Sequence, residues 1–232
     1  MLKTASSILR LGTESAFEVL ARAQKLQSEG KNIINLGIGQ PDFKTPEHIV
    51  EAGVKALRDG HHGYTPANGL PILREAVSAD LEHRHGAKVR SNNIVIVPGG
   101  KPTMFFAISM FGEPGTEIMY PNPGFPIYES LINYTGATPI PIALEERMGF
   151  AFNADTVLSQ ITSKTRLIII NSPANPTGGV TPKVEIDKLV KGLLEYPYIA
   201  ILSDEIYSEM LYNNKKHISL LQYPEIRDRL IM

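Results

Sequence analysis

The chain contains no cysteine among its 232 residues. Disulfides, zinc thiolate sites and thiol nucleophiles are therefore excluded, and the composition suits a reducing compartment. No apolar run reaches the roughly 18 residues needed to cross a bilayer, so no membrane span is expected. The opening stretch, with charges at Lys3, Arg10 and Glu14, lacks the continuous apolar core of a secretion signal. It reads as a native start in the cytoplasm, with a short organelle-targeting segment as the alternative. Excess charge of one sign is missing too. The formal net charge is −1, which offers neither a basic surface for nucleic acid nor an acidic solvating tail. The histidines at 61, 62, 83 and 85 lack the nearby acids of a metal-ligand pattern. Ser172 has no evident base beside it to make it a nucleophile.

What is present is an alternating rhythm. A helix is expected over 14–29, where Ala16, Phe17, Leu20, Ala23 and Leu26 share a face. Others are expected over 46–59 and 70–85, the latter closed by Gly86. Strands over 93–97, 117–120, 138–142, 166–170 and 199–202 then alternate with helices over 101–111, 125–134 and 182–195. Short apolar strands spaced this way suit a parallel sheet covered on both faces. The fold class is therefore α/β, a three-layer αβα arrangement with a mainly parallel sheet. Residues 228–232 begin another such strand without a closing turn, and the reading expects an incomplete chain.

Ligands in open α/β sheets bind outside the carboxyl ends of the strands. The segments there are Pro98–Pro102, Pro121–Phe125, Asn171–Gly178 and Ser203–Tyr207. Together they offer a phosphate cradle, an aromatic plate, an amide, an acid and a phenol. A planar, phosphorylated, nitrogen-containing ring would use all five.

These segments resemble the class I/II pyridoxal-phosphate aminotransferases of the aspartate-aminotransferase-like fold. Asn35-Leu36-Gly37-Ile38-Gly39-Gln40-Pro41-Asp42-Phe43 resembles that family's N-terminal substrate loop. Tyr64-Thr65-Pro66 with Gly69, Leu70 and Arg74 resembles its next block, and Asn171–Gly178 and Ser203–Tyr207 resemble its two most recognisable ones. The similarity runs from about residue 14 to the end. It implies an N-terminal segment over 1–45, belonging to the small domain and substrate loop, and a cofactor-binding large domain over 46–232, incomplete at its C-terminal end. It also implies pyridoxal 5′-phosphate as cofactor, an L-amino acid and a 2-oxo acid as substrates, and a homodimer.

The resemblance assigns roles residue by residue. Gly100, Lys101 and Pro102 open a helix, where backbone N–H groups and the helix dipole favour a phosphate. Pro102 itself has no N–H, so Gly100, Lys101 and Thr103 would be the donors. An ordinary strand-to-helix turn would look the same. Phe125 matches the aromatic that stacks on the cofactor ring, or is a core residue at a helix start. Asp204 would hold a proton on the pyridine nitrogen, or cap a helix. Asn175 and Tyr207 would donate to the ring's 3-oxygen and complete the catalytic set with Asp204. Asn175 also suits a turn before Pro176, and Tyr207 a helix core. The Asn175–Pro176 peptide is expected to be cis. Gly39 would approach the substrate carboxylate, Phe125 and Asn175 also lining the substrate side, or simply form a tight turn. Tyr64 would reach the phosphate held by a partner subunit, or pack in the interior.

The family also requires a Schiff-base lysine that binds the cofactor covalently and moves the α-proton. The resemblance puts it after the next strand, and no such loop occurs in these residues. Lys101 falls at the phosphate position instead. A strand that follows that lysine in the family would pair with 93–97, which is left with an open edge. The expected activity is amino-group transfer by the parent enzyme, the present chain alone being inactive. Carbon–sulfur lyases of the same fold are the enzymatic alternative. A non-catalytic pyridoxal-phosphate binder or an inert fragment is the alternative outside catalysis.

Overall fold

The computed structural model describes residues 2–12 and 15–232. Seven α-helices and five strands are described: α1 (Ser15–Ser28), α2 (Glu47–Arg58), α3 (Pro71–His85), α4 (Gly100–Phe111), β1 (Glu117–Asn122), α5 (Ile127–Thr135), β2 (Thr138–Ala143), α6 (Ala154–Ser159), β3 (Thr165–Asn171), α7 (Lys183–Leu193), β4 (Ala200–Asp204) and β5 (Leu230–Ile231). Glu14, where the first helix was expected to begin, lies outside the described residues, as do the side chains of Ala16 and Phe17. Gly86, at φ 65°, closes α3 in the left-handed conformation.

The strands form one sheet in the order β2-β1-β3-β4-β5, and every pairing is parallel. The sheet is buried because side chains alternate between two covered faces. Leu167 and Ile169 of β3 pack with Met104, Ala107 and Ile108 of α4 and Leu131 and Ile132 of α5. Ile168 and Ile170 point the other way, toward Ile186, Leu189, Val190 and Leu193 of α7. This is the expected αβα sandwich, and it explains why β3 reads as an unbroken apolar run.

The expected strand at 93–97 is not one. Ser91–Asn93 form a single 3-10 turn. Ile94 beyond it is extended, at φ −110° and ψ 130°, but no strand lies beside it among the described residues. Its stretch instead receives one loop contact, Ile96 N donating to Asn68 O at 3.1 Å. Extended residues become a strand only when a neighbour accepts their ladder. At the opposite limit, α6 was not anticipated. It is one short turn capped by Asn153, whose Oδ1 accepts from Thr156 N at 2.9 Å.

Candidate active site

The carboxyl ends of β1, β3 and β4 open into a cleft of about 530 Å³, within the usual range for small-molecule sites. Gly100, Lys101, Phe125, Asn175, Asp204 and Tyr207 all line it. Six of the nine residues singled out from the sequence therefore meet in one place, although they are spread over about a hundred positions of chain.

One end of the cleft is the N-terminus of α4. Gly99 holds φ 83° and ψ 173° there, a conformation open to glycine and strained for other residues. Gly99, at the N-cap, has no side chain with which to cap the helix. A helix N-terminus favours an anion through its first-turn N–H groups and its dipole, and Gly100 and Lys101 of that turn line the cleft. Thr103 lines the same wall. Pro102 does not. A turn of about 100° per residue carries it from the cleft to a shallow apolar depression with Phe105, Phe106, Ile127 and Leu131. Its contribution is to the helix start, where a missing N–H is tolerated.

At the other end stands Asp204, the last residue of β4. Its Oδ2 accepts from the Tyr128 hydroxyl at 2.5 Å. Its Oδ1 accepts from Ile206 N at a long 3.3 Å. That second bond closes a turn, and no helix follows β4, so the helix-cap reading of Asp204 is set aside. Tyr128 is fully buried. Burial, with the adjacent Asp204 carboxylate, pushes its phenol far above the ordinary value. Phe125 stands edge-on to the Tyr128 ring, with centroids 5.8 Å apart and planes at 87°, and it lines the cleft.

Asn171 ties the strand ends together. Its Nδ2 donates to Asp204 O at 2.9 Å and to Pro173 O at 3.2 Å, while its Oδ1 accepts from Asn175 N at 2.8 Å. The Asn175–Pro176 peptide is cis, as expected, and so are Asn122–Pro123 and Ser172–Pro173. Glu205 also lines the cleft, but its carboxylate is engaged in a buried group of its own. Its Oε2 meets His217 Nε2 at 2.6 Å, and its Oε1 accepts from Ser203 Oγ at 2.7 Å and Leu220 N at 3.1 Å. Burial alone would raise its carboxyl, but the His217 and Ser203 hydrogen bonds and the histidine's charge outweigh that and hold it below the ordinary value.

Gly39 and Tyr64 lie outside the cleft lining. Both are exposed, Tyr64 completely so, which removes the reading of Tyr64 as an interior packing residue. Several lining residues were not anticipated. Tyr128 could have been noticed as a second aromatic three residues after Phe125, in the same segment that follows β1. Arg84 and His85 line the cleft from the end of α3. Arg84 reaches Glu209 at 3.0 Å, and burial pushes the His85 imidazole below its ordinary value. Only tertiary structure brings these two here.

Comparison with known proteins gives this geometry a family. A family model described as "Aminotransferase class I and II" matches residues 31–231. An aspartate aminotransferase of Bacillus sp. strain YM-2 is 32% identical over 221 residues, covering 95% of this chain and 56% of that protein. A (5-formylfuran-3-yl)methyl phosphate transaminase of Methanocaldococcus jannaschii is 35% identical over 225 residues, covering 97% and 57%. The crystal structure of the aspartate aminotransferase of Rhizobium meliloti superposes with a TM-score of 0.92 at 29% identity, covering 99% of this chain and 58% of that one. The chain spans a little under three-fifths of the length of these relatives.

Proposed function

Because the chain belongs to the class I and II aminotransferases, a family of pyridoxal-phosphate enzymes, we propose that the whole protein transfers an amino group from an L-amino acid to a 2-oxo acid. Residues 1–232 carry most of its cofactor cradle in this reading. The observation that carries it is Asp204, a carboxylate fixed at the end of a buried strand and lining a cleft whose far end is the glycine-started N-terminus of α4. An acid for a ring nitrogen at one end, anion donors at the other and an aromatic face between them fit a pyridoxal phosphate molecule.

Bound there, the cofactor supplies an electron sink for the substrate's α-carbon. The chain's own residues do the rest. Asp204 holds a proton at the ring nitrogen. Phe125 covers one ring face and keeps water from it. Asn175 and Tyr207 donate to the 3-oxygen and hold it as the anion. The N–H groups of Gly100 and Lys101 and the hydroxyl of Thr103 bind the phosphate, with Pro102 shaping the turn. Gly39 is assigned to the substrate carboxylate. Tyr64, exposed on this chain, is assigned to the phosphate of a second subunit, which makes the working unit a homodimer. Residues 1–45 form the segment that leads into the large domain at 46–232. Lys101 sits at the phosphate end, so the lysine that bonds to the cofactor is assigned to a part of the protein outside residues 1–232, and these residues alone are inactive. No helix among the described residues is long and apolar enough to cross a membrane. The cytoplasm is the compartment we assign, on the cysteine-free composition.

Pyridoxamine 5′-phosphate tests the cradle without needing the lysine. Calorimetric titration of the chain should give saturable binding. Asp204→Asn, which keeps the shape but removes the charge, should weaken it about tenfold or more, as expected for a hydrogen bond to a charged group. Absence of binding at millimolar ligand, or an unaffected Asp204→Asn, would overturn the reading.

A further inference from the structure

The acid that faces the cleft does not set its own direction. Asp204 leaves β4 at its last residue, where the ladder with β3 ends at the Asn171–Asp204 pair. Its main chain is held, since Asp204 O accepts from Asn171. Its side chain has two recorded contacts, and they are unequal. The Ile206 N–H reaches Oδ1 at 3.3 Å, near the outer limit of a useful bond. The Tyr128 hydroxyl reaches Oδ2 at 2.5 Å, the short distance of a charge-assisted O–H···O⁻ bond. Tyr128 is locked in turn. It is fully buried on α5, and Phe125 braces its ring from the edge.

A phenol held in this way has one proton to give and one place to give it. The same burial and the same neighbouring charge keep that proton on the oxygen. Oδ2 is therefore occupied, and Oδ1 is the oxygen left to meet a ring N–H in the cleft. A carboxylate with both oxygens loosely held would rotate and spread its charge over several directions. Here the phenol selects one rotamer.

From this geometry we infer that Tyr128 is a positioning residue for the pyridine nitrogen. It orients Asp204 so that Oδ1 faces the ring N–H, and it couples that contact to Phe125, which stands edge-on to its ring. Tyr128 also lines the cleft, but its hydroxyl is engaged by Asp204 and acts on the ring nitrogen through that carboxylate. The inference rests on the cofactor assignment made above and deepens it.

The test is a cycle of two ligands and two proteins. Pyridoxamine 5′-phosphate and its 1-carba analogue, in which the ring nitrogen is replaced by C–H, are titrated into the wild-type chain and into Tyr128→Phe. Phenylalanine keeps the ring that Phe125 braces and removes only the hydroxyl. The expected result is a loss of about tenfold in affinity for the nitrogen-containing ligand, the equivalent of one hydrogen bond to a charged group, with the carba analogue unchanged within about twofold. A structural role would weaken both ligands alike, and that result overturns the inference while leaving the cradle standing. If wild type binds neither ligand, the cofactor assignment fails and the inference fails with it.

Should Tyr128→Phe fail to fold, the wild type still answers. The buried hydroxyl proton should give a far-downfield proton resonance that moves when pyridoxamine 5′-phosphate binds and stays in place with the carba analogue. An identical response to both ligands overturns the inference.

Discussion

Glu205→Gln should destabilise the chain by about 2–3 kcal/mol near neutral pH. The carboxylate is only 7% exposed and its partner His217 only 6%. Oε1 takes two donors, Ser203 Oγ and Leu220 N, and Oε2 takes His217 Nε2. Glutamine can present one oxygen to the first pair, so those bonds survive but lose their charge. A hydrogen bond to a charged group contributes about 1.5–3 kcal/mol and a neutral one about 1. The second cost arises on the other side. The amide NH₂ now faces Nε2, which must become an acceptor and move its proton to Nδ1. That atom is buried without a hydrogen-bond partner, and an unsatisfied buried donor costs about 1–3 kcal/mol. Relief of the charge's desolvation works in the opposite direction. It does not win, because the folded environment already holds Glu205 below its ordinary value of 4.5 and so prefers the charged form.

The pH dependence follows in sign. A carboxyl lowered on folding contributes stability that is complete above its unfolded value and disappears as pH falls through the folded one. The gap between wild type and Glu205→Gln should therefore be full at pH 7 and narrow below about pH 4. Urea titrations followed by far-UV circular dichroism would measure it, with an unchanged slope confirming that only stability moved. His217→Ala strands the charge itself and should cost about 3–5 kcal/mol. A Glu205→Gln midpoint matching wild type at pH 7, or a gap that widens with acid, would refute the reasoning.

Two further substitutions probe how the site is framed. In Gly124→Ala the added Cβ would stand 2.0 Å from Pro121 O, so the backbone has to shift. The expected cost is about 1–3 kcal/mol, read by thermal unfolding, with weaker pyridoxamine 5′-phosphate binding because Phe125 is the next residue. Arg229 gathers three carbonyls beyond and within the end of α7, those of Leu193, Tyr196 and Ile199, at 2.6–3.0 Å. Burial lowers the guanidinium's own pKa without neutralising it. Arg229→Met should cost about 2–4 kcal/mol through stranded carbonyls, and hydrogen exchange should quicken first at the end of α7.

The sandwich was legible because its signals are local. A run such as Leu167–Ile170 announces a strand covered on both faces, and Gly86 and Gly136 mark helix ends by a requirement that holds within a few residues. The segment at 94–97 marks where that kind of evidence stops. Its residues favour an extended backbone, and Ile94 adopts one. Whether an extended stretch is a strand is decided by what lies beside it, and its own sequence does not carry that information. Hence the strand expected over 93–97 is not found: Asn93 closes a 3-10 turn, Ile94 is extended, and no strand pairs with it among the described residues.

The site divides along the same line. Gly100, Phe125, Asn175, Asp204 and Tyr207, all of which line the cleft, were found because each falls in a short segment with a recognisable order of residues. The residues that aim them were not, with the partial exception of Tyr128. Tyr128 and Asp204 are 76 positions apart, Arg84 and Glu209 are 125 apart, and neither pair leaves a periodic trace. The adjacent acids at 204 and 205 do carry a hint, since two carboxylates exceed what one turn needs. The structure resolves it by giving them different partners, Asp204 the Tyr128 hydroxyl and Glu205 the buried His217. That split has a physical consequence. Glu205 anchors the chain just past β4 through Ser203 and Leu220, so Asp204 sits between a fixed strand and a fixed turn. Its remaining freedom is rotation of its own side chain, and the Tyr128 hydroxyl removes it. Pre-organisation of this kind makes a carboxylate effective toward a charge held next to it. Weakening either anchor should therefore reduce cofactor affinity before it disturbs the fold.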